Sequence, residues 1–444
     1  MNKWLKNELA GVSLGDKRLD DRLLEVVEGK CRFPNRSLSR IFPNLGERKG
    51  AYRLIANSKV TMEKILESHF QASCKRVSGD HLVLAIQDSS NLNFGSSPAE
   101  LGYLDHGRGN GLMGHMNLLV SGSGLPLGLC GASVWERQAS EKGKTKDRRK
   151  VPIEERESYK WLASLQESQQ RLAGKKVLHV GDREADVFAL FRLAQEHEAD
   201  LLVRSGQNRK LASENLLFDE LDQAPLLGKT KVKVAKGKHR KTSDVTMGYK
   251  AIEVEVMPPQ NPKRGGESVR LTVVEALELD KKKKEPLRWV LYTTLPVNSK
   301  ADAERMVKYY SYRWLIERFF YVLKSGTKLQ ALQFESKERL QTAMAIYIIA
   351  AWKIMHLTYL ARIEPQTKAS EVFREIEWKV LAISALGTTK VPEKPPTVAQ
   401  AVEWLALLGG KTWKGTPGML VLWEGYAALN QQIKMAQIFM KGME

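Results

Sequence analysis

The sequence predicts a mixed α/β fold, with a sheet of antiparallel and parallel strands covered by helices and flanked by helical segments at both ends. Three features carry this prediction. Two short apolar runs, HLVLAIQD ending at Asp88 and KKVLHVGD ending at Asp182, read as buried strands that each finish in a carboxylate. Between them, GHMNLLVSGSGLPLGLCGASVWER sets two apolar runs around Gly122-Ser123-Gly124, the pattern of an antiparallel hairpin. After Asp182 a helical stretch and another strand follow, and an antiparallel start continued by β-α-β units is a mixed sheet.

In chain order, residues 1–70 read as a helical domain. Leu19, Leu23 and Val26 recur at three- and four-residue steps, and Arg48 to Lys64 repeats the pattern. Arg18, Arg22, Arg32, Arg36, Arg40, Arg48 and Arg53 stud this segment, either as a solvated face or as a DNA-contacting one. Residues 71–362 form the core: three strands, a helix over 152–172, the strand ending at Asp182, a helix from Ala185 to Glu198, and the strand Leu201 to Ser205. Residues 206–288 are basic and strand-like (KTKVKVAKGKHRK, KAIEVEV, SVRLTVVEALEL) and read as a β-rich insertion in that core, followed by RWVLYTTLP. From Ala301 the texture is helical. Residues 363–444 form a last helical domain, with a break at VPEKPP.

Composition narrows the function. The 444 residues amount to about three domain lengths at roughly 150 residues each. With 43% hydrophobic and 27% charged residues, the chain is neither disordered nor collagen-like. Lys plus Arg number 70 against 51 acidic residues, and a net charge of +19 points to a polyanion, nucleic acid before membrane. The longest apolar run, Ala343 to Trp352, is half of the roughly 20 residues that a spanning helix needs and reads as core. MNKWLKNELAG lacks the apolar region of a secretory signal, so a cytoplasmic, nucleoid-associated protein is expected. Cys31, Cys74 and Cys130 suggest neither a disulfide framework nor a zinc site, and the eight His show no ligand spacing.

The stretch with most chemistry is YSYRWLIERFFYVLK. On one continuous helix, Tyr310, Arg313, Glu317 and Lys324 would fall within an arc of roughly 60°. Alone, this is an amphipathic helix with an ordinary Arg-Glu pair. Asp88 and Asp182 change its meaning. Three carboxylates within a few ångströms repel one another unless hard divalent cations such as Mg²⁺ neutralise them, and two such ions suit phosphodiester displacement. Singly, Asp88 could cap a turn and Asp182 could be an N-cap.

AIQDSS around Asp88, GDREAD at residues 181–186, RWVLYTTLPV around Trp289, and the Y-x2-R-x3-E-x6-K array make the chain resemble the bacterial DDE transposases of the insertion-sequence-four family. GERKGAYRLIAN and LWEGYAAL extend the resemblance over essentially the whole chain. It implies an RNase H-like core with Asp88, Asp182 and Glu317 as catalytic ligands of Mg²⁺, for which Mn²⁺ can substitute. It also implies that Tyr310, Arg313 and Lys324 grip phosphates beside the scissile bond, with Trp289 as the platform for a flipped base. By its own alternation with Leu291 and Thr293, Trp289 reads as core. Arg204 matches a DNA-contacting position, with a salt bridge as its alternative, and Arg22 and Arg32 match end-contacting positions.

The reaction implied is cut-and-paste transposition through 3′ nicking, hairpin formation, hairpin opening and strand transfer. Its partners would be double-stranded transposon ends, target DNA and a second copy of the chain in a synaptic homodimer. The C-terminal helices are assigned to dimerisation, although the face of Leu422, Tyr426, Leu429 and Ile433 could equally be buried within the monomer. After Glu317 the run Arg318-Phe319-Phe320-Tyr321 departs from the family's more polar pattern, so contacts there do not transfer. A non-catalytic DNA-binding regulator and a purely hydrolytic nuclease are the competing readings. The clusters Lys142–Lys150 and Lys229–Lys241 are expected to face DNA or to be solvated loops, and Lys281–Lys284 to be a hairpin tip.

Overall fold

The structure, a computed structural model, describes residues 3–79, 81–104, 109–138, 151–234, 243–259, 267–280, 286–388 and 390–442. The clusters Lys142–Lys150 and Lys281–Lys284, and most of Lys229–Lys241, lie outside them. In chain order the elements are α1 (Lys3–Glu8), α2 (Lys17–Arg32), α3 (Leu38–Ile41), α4 (Leu45–Ile55), α5 (Met62–Lys75), β1 (Val83–Asn93), β2 (Gly111–Ser121) and β3 (Pro126–Trp135). There follow α6 (Tyr159–Arg171), β4 (Val177–Gly181), α7 (Phe188–Glu196), β5 (Asp200–Arg204), α8 (Leu217–Gln223), β6 (Gly228–Val234), β7 (Ser243–Val256), β8 (Val269–Glu278) and β9 (Arg288–Thr293). The chain ends with α9 (Lys300–Ser311), α10 (Trp314–Tyr321), α11 (Lys337–Ile363), α12 (Glu375–Leu386), α13 (Val398–Leu408) and α14 (Met419–Gly442). These fall into two compact units, Met1–Ser78 with Ser89–Gly143 and Leu315–Glu444, and Gly79–Asp88 with Lys144–Trp314.

The first unit is helical around α11, which is apolar on every side because it is packed on every side. It is long and apolar enough to cross a membrane, yet its apolar stretch is mostly buried by protein. α2 begins at Asp16, whose carboxylate accepts from Arg18 N, and buries Leu23, Val26 and Val27 at helical spacing. A buried polar network fixes α1. Leu129 N donates to His69 Nε2 (3.1 Å), so the His69 proton sits on Nδ1, 2.5 Å from a Glu8 oxygen. Burial pushes the Glu8 pKa up, but the hydrogen bonds and charges of His69 and Arg76 outweigh it and leave the pKa lowered. Leu422, Tyr426, Leu429 and Ile433 are buried within this unit, so that face of α14 is monomer core and not the free dimer face. β2 and β3 pair as the expected antiparallel hairpin.

The strand order is β3-β2-β1-β4-β5-β9-β8-β7-β6. β4 is parallel to β1 and to β5, whereas β9 returns antiparallel to β5. This order of the first five strands is that of an RNase H-like core, and the β-rich insertion extends the same sheet through β9. Strands covered on both faces need continuous apolar runs, which Val83-Leu84-Ala85-Ile86 and Val177-Leu178 supply. Trp161, Phe191, Val203, Val273 and Tyr292 join α6, α7 and the sheet in one cluster. Cys31 and Cys130 are buried and Cys74 is partly so.

Two local expectations change. β1 runs on through Ser89-Ser90-Asn91-Leu92-Asn93, so Asp88 lies within the strand and not at its end. The predicted continuous helix through Tyr310–Lys324 is interrupted: Tyr312 N and Arg313 N bond to carbonyls three residues back, and α10 starts afresh at Trp314. A π-turn, Val322–Gly326, then follows α10. Tyr310, Arg313, Glu317 and Lys324 therefore do not form one helical face.

Candidate active site

β1 and β4 pair in parallel through Ile86↔Val180, and continuing that register two residues brings Asp88 level with Asp182. Both carboxylates are thus presented by neighbouring strands. Asp88 Oδ2 lies 3.3 Å from Arg313 Nη1, with both side chains largely buried (16% and 12% exposed), where screening is weak. Asp182 follows β4 and accepts from Glu184 N (2.8 Å), capping the 3₁₀ turn Arg183–Ala185. The capping role foreseen for Asp182 is real.

Around this pair the second unit gathers further predicted residues. Tyr310, 3% exposed at the end of α9, has its pKa raised chiefly by burial; Arg313 and Arg204 oppose the rise, Asp182 adds to it, and Arg204 hydrogen-bonds the phenol. Arg204 closes β5 opposite Leu291 of β9. Its Nε is buried without a hydrogen-bond partner among the described residues, a donor that calls for a water or an anionic oxygen. Trp289 of β9 is half-buried and meets the Tyr310 ring edge-on, with centroids 5.2 Å apart at 76°. It is neither wholly core nor a bare platform.

Glu317 and Lys324 belong to the first unit. Glu317 is half-buried on α10, and Lys324 Nζ in the π-turn reaches Ser90 Oγ of β1 at 2.5 Å. Among the described residues, no group of three or more His, Cys, Asp or Glu side chains is disposed to hold a metal ion. The donor chemistry of Asp88 and Asp182 still fits a hard divalent cation, since Asp88 lies in β1 and Asp182 directly follows β4, the strand paired with it. Of the N-terminal arginines, Arg22 pairs with Glu25 (2.7 Å) and Arg32 with Glu28 (3.0 Å), both about a third exposed. Asn430 of α14 holds the Arg32 carbonyl (3.2 Å).

One residue escaped the sequence reading. Asp186, the second Asp of GDREAD, is buried and accepts from Gly206 N (2.7 Å), Gln207 N (3.2 Å) and Arg209 Nε (2.7 Å). It ties the turn that begins at Asp182 to the loop leaving Arg204. A carboxylate four residues after a strand-end Asp, within a Gly-Asp-Arg-Glu-Ala-Asp motif, was the only signal available.

Two family models match the chain and together span more than half of it: Transposase DNA-binding over residues 1–60 and Transposase DDE domain over residues 157–353. The chain is a DDE transposase, an enzyme of metal-dependent chemistry on DNA. Among solved structures it is similar to the piggyBac transposase in a cryo-EM synaptic complex with hairpin DNA. That match has a TM-score of 0.39 and 10% identity, over 98% of this chain and 78% of that one.

Proposed function

We propose that this chain is a cut-and-paste transposase of the insertion-sequence-four family that nicks the 3′ strand, forms and reopens a hairpin, and joins the freed end to target DNA. Asp88, Asp182 and Glu317 are the residues that would hold its divalent cations, Mg²⁺ with Mn²⁺ as a substitute. When bound, such cations supply activation of the attacking oxygen and stabilisation of the leaving oxygen of a phosphodiester. The observation that carries the reading is the level placement of Asp88 and Asp182, with Arg204, Tyr310 and Arg313 grouped about them.

The protein's own groups then bind and orient. The orphaned Arg204 Nε–H suits a phosphate oxygen, and Arg313 and Lys324 supply further cationic donors. Trp289 offers a partly exposed indole for a displaced base, with Tyr310 bracing its edge. Residues 1–60, with Arg22 and Arg32, bind the element's end, and two copies pair the ends in a synapse. A cytoplasmic, nucleoid-associated location follows from that partner.

The test is a joining assay with terminal repeats, Mg²⁺ and a target plasmid. Covalent insertion is expected, and linear cleavage products alone would make the protein a nuclease. Asp88→Asn, Asp182→Asn and Glu317→Gln should each abolish cutting with end binding retained. Residual cutting by any of them removes that residue from the ligand set. Trp289→Ala should impair hairpin formation more than the first nick, and equal loss at both steps would leave it a packing residue.

A further inference from the structure

α2 lies within the region matched by the DNA-binding model, and its last turn buries Lys30 completely. Lys30 Nζ donates to the Arg36 carbonyl and to the Thr327 carbonyl, both at 2.9 Å, and sits 3.7 Å from the centroid of the Tyr347 ring on α11. An ammonium carries three N–H donors, and two carbonyls with one π-face use all three. Burial pushes the Lys30 pKa well below the ordinary lysine value, because enclosing an ammonium carries a desolvation penalty. Packing alone does not explain this choice, because an unbranched apolar side chain fills such a space without the penalty.

The acceptor Thr327 is the residue that closes the π-turn. Its N–H returns to the Val322 carbonyl (2.9 Å) and its hydroxyl to the Leu323 carbonyl (2.6 Å). π-turns are rare and poorly self-supporting, so their position depends on outside contacts. This one continues α10, carries Lys324, and presses Gly326 against the Trp423 ring so closely that a Cβ there would come within 2.3 Å. Lys30 is therefore a direct bond between the end-binding helix and the turn that sets the height of Lys324 and of the Glu317 helix.

We propose that Lys30 is a positioning residue that couples the end-binding segment to the catalytic helix, so that α2 and the α10–π-turn segment are carried as one body when DNA is engaged. The inference rests on the roles given above to Glu317 and Lys324.

The experiment uses the full chain with a plasmid bearing two terminal repeats, comparing Lys30→Met, Tyr347→Leu and Glu317→Gln. Lys30→Met removes the cost of enclosing an ammonium but leaves the Arg36 and Thr327 carbonyls without their donor, so the variant should fold with a modestly lowered melting temperature. Its end-DNA Kd should stay within about threefold of the parent. Single-turnover cleavage at saturating protein should fall about tenfold or more, a barrier increase of about 1.4 kcal/mol. Tyr347→Leu, which removes only the π-face, should lower the rate in the same direction with Kd unchanged, and it decides the matter if Lys30→Met fails to fold. Wild-type cleavage in the Lys30 variant overturns the proposal, as does a rate loss matched by equal losses in binding and stability. Cutting by Glu317→Gln instead overturns the assignment of the site, whatever Lys30→Met does.

Discussion

Replacing Asp186 by alanine deletes the acceptor that joins the turn after β4 to the loop after β5. The carboxylate is 1% exposed and its partner Arg209 10%, so three donors lose their acceptor at once: Gly206 N, Gln207 N and the guanidinium. Breaking a buried pair by removing one partner costs about 3–5 kcal/mol, because the remaining charge is left uncompensated. At about 1.36 kcal/mol per decade, that is a rise of roughly a hundredfold to several thousandfold in the unfolded population of the second unit. Urea titration followed by tryptophan fluorescence measures it, and amide exchange at Gly206 and Gln207 locates it. Asp186→Asn should fall between, since its carbonyl oxygen still accepts from a backbone N–H while its amide faces Arg209. A stability for Asp186→Ala within about 1 kcal/mol of the parent, or unchanged protection at those two amides, would refute the description of this lock.

Three further outcomes are expected. Burial depresses the pKa of His179 and, in the other unit, of His356 to about 4, against an ordinary value of 6.5. The unfolded chain then binds more protons between those values, so stability is full above about pH 6.5 and lost as pH falls toward 4, by on the order of 3 kcal/mol per histidine. His179→Leu should flatten that acid dependence in urea titrations at successive pH values, and an unchanged slope would clear His179 of the effect. Gly326→Ala forces a methyl against Trp423 and should destabilise by about 1–3 kcal/mol in thermal melts, with a larger loss of cleavage than of end binding. Chelation with EDTA should stop cleavage and spare end binding, with Mg²⁺ or Mn²⁺ restoring activity. EDTA-resistant cutting would disprove the metal requirement.

Much of the sheet was legible because burial on both faces demands uninterrupted apolar runs, and VLAI and VL before Asp88 and Asp182 are such runs. The hairpin at Gly122-Ser123-Gly124 was legible for the same reason, from turn chemistry between apolar segments. Asp88 was misplaced at a strand end because Ser89, Ser90, Asn91 and Asn93 are polar, yet tertiary pairing outweighed their weak strand preference. The break at Tyr312-Arg313 left no Gly or Pro to mark it, and the π-turn has no composition signal at all. Lys30 and Asp186 escaped because charge in a periodic segment reads as surface, and only the packed structure reveals which charges have been enclosed. The spacing of Glu317 and Lys324 from Tyr310 was read on a single helix, which the break at Tyr312-Arg313 and the π-turn interrupt.

The course of β9 has a practical consequence. Because Arg288–Thr293 lies beside Asp200–Arg204, the long excursion through α8, β6, β7 and β8 departs and returns at adjoining points of one ladder. Its length is thereby uncoupled from the spacing of Arg204 and Trp289, which the ladder alone dictates. Reporter or crosslinking groups carried by that excursion would then leave the register of both side chains as it is, giving an optical handle on each stage of a turnover.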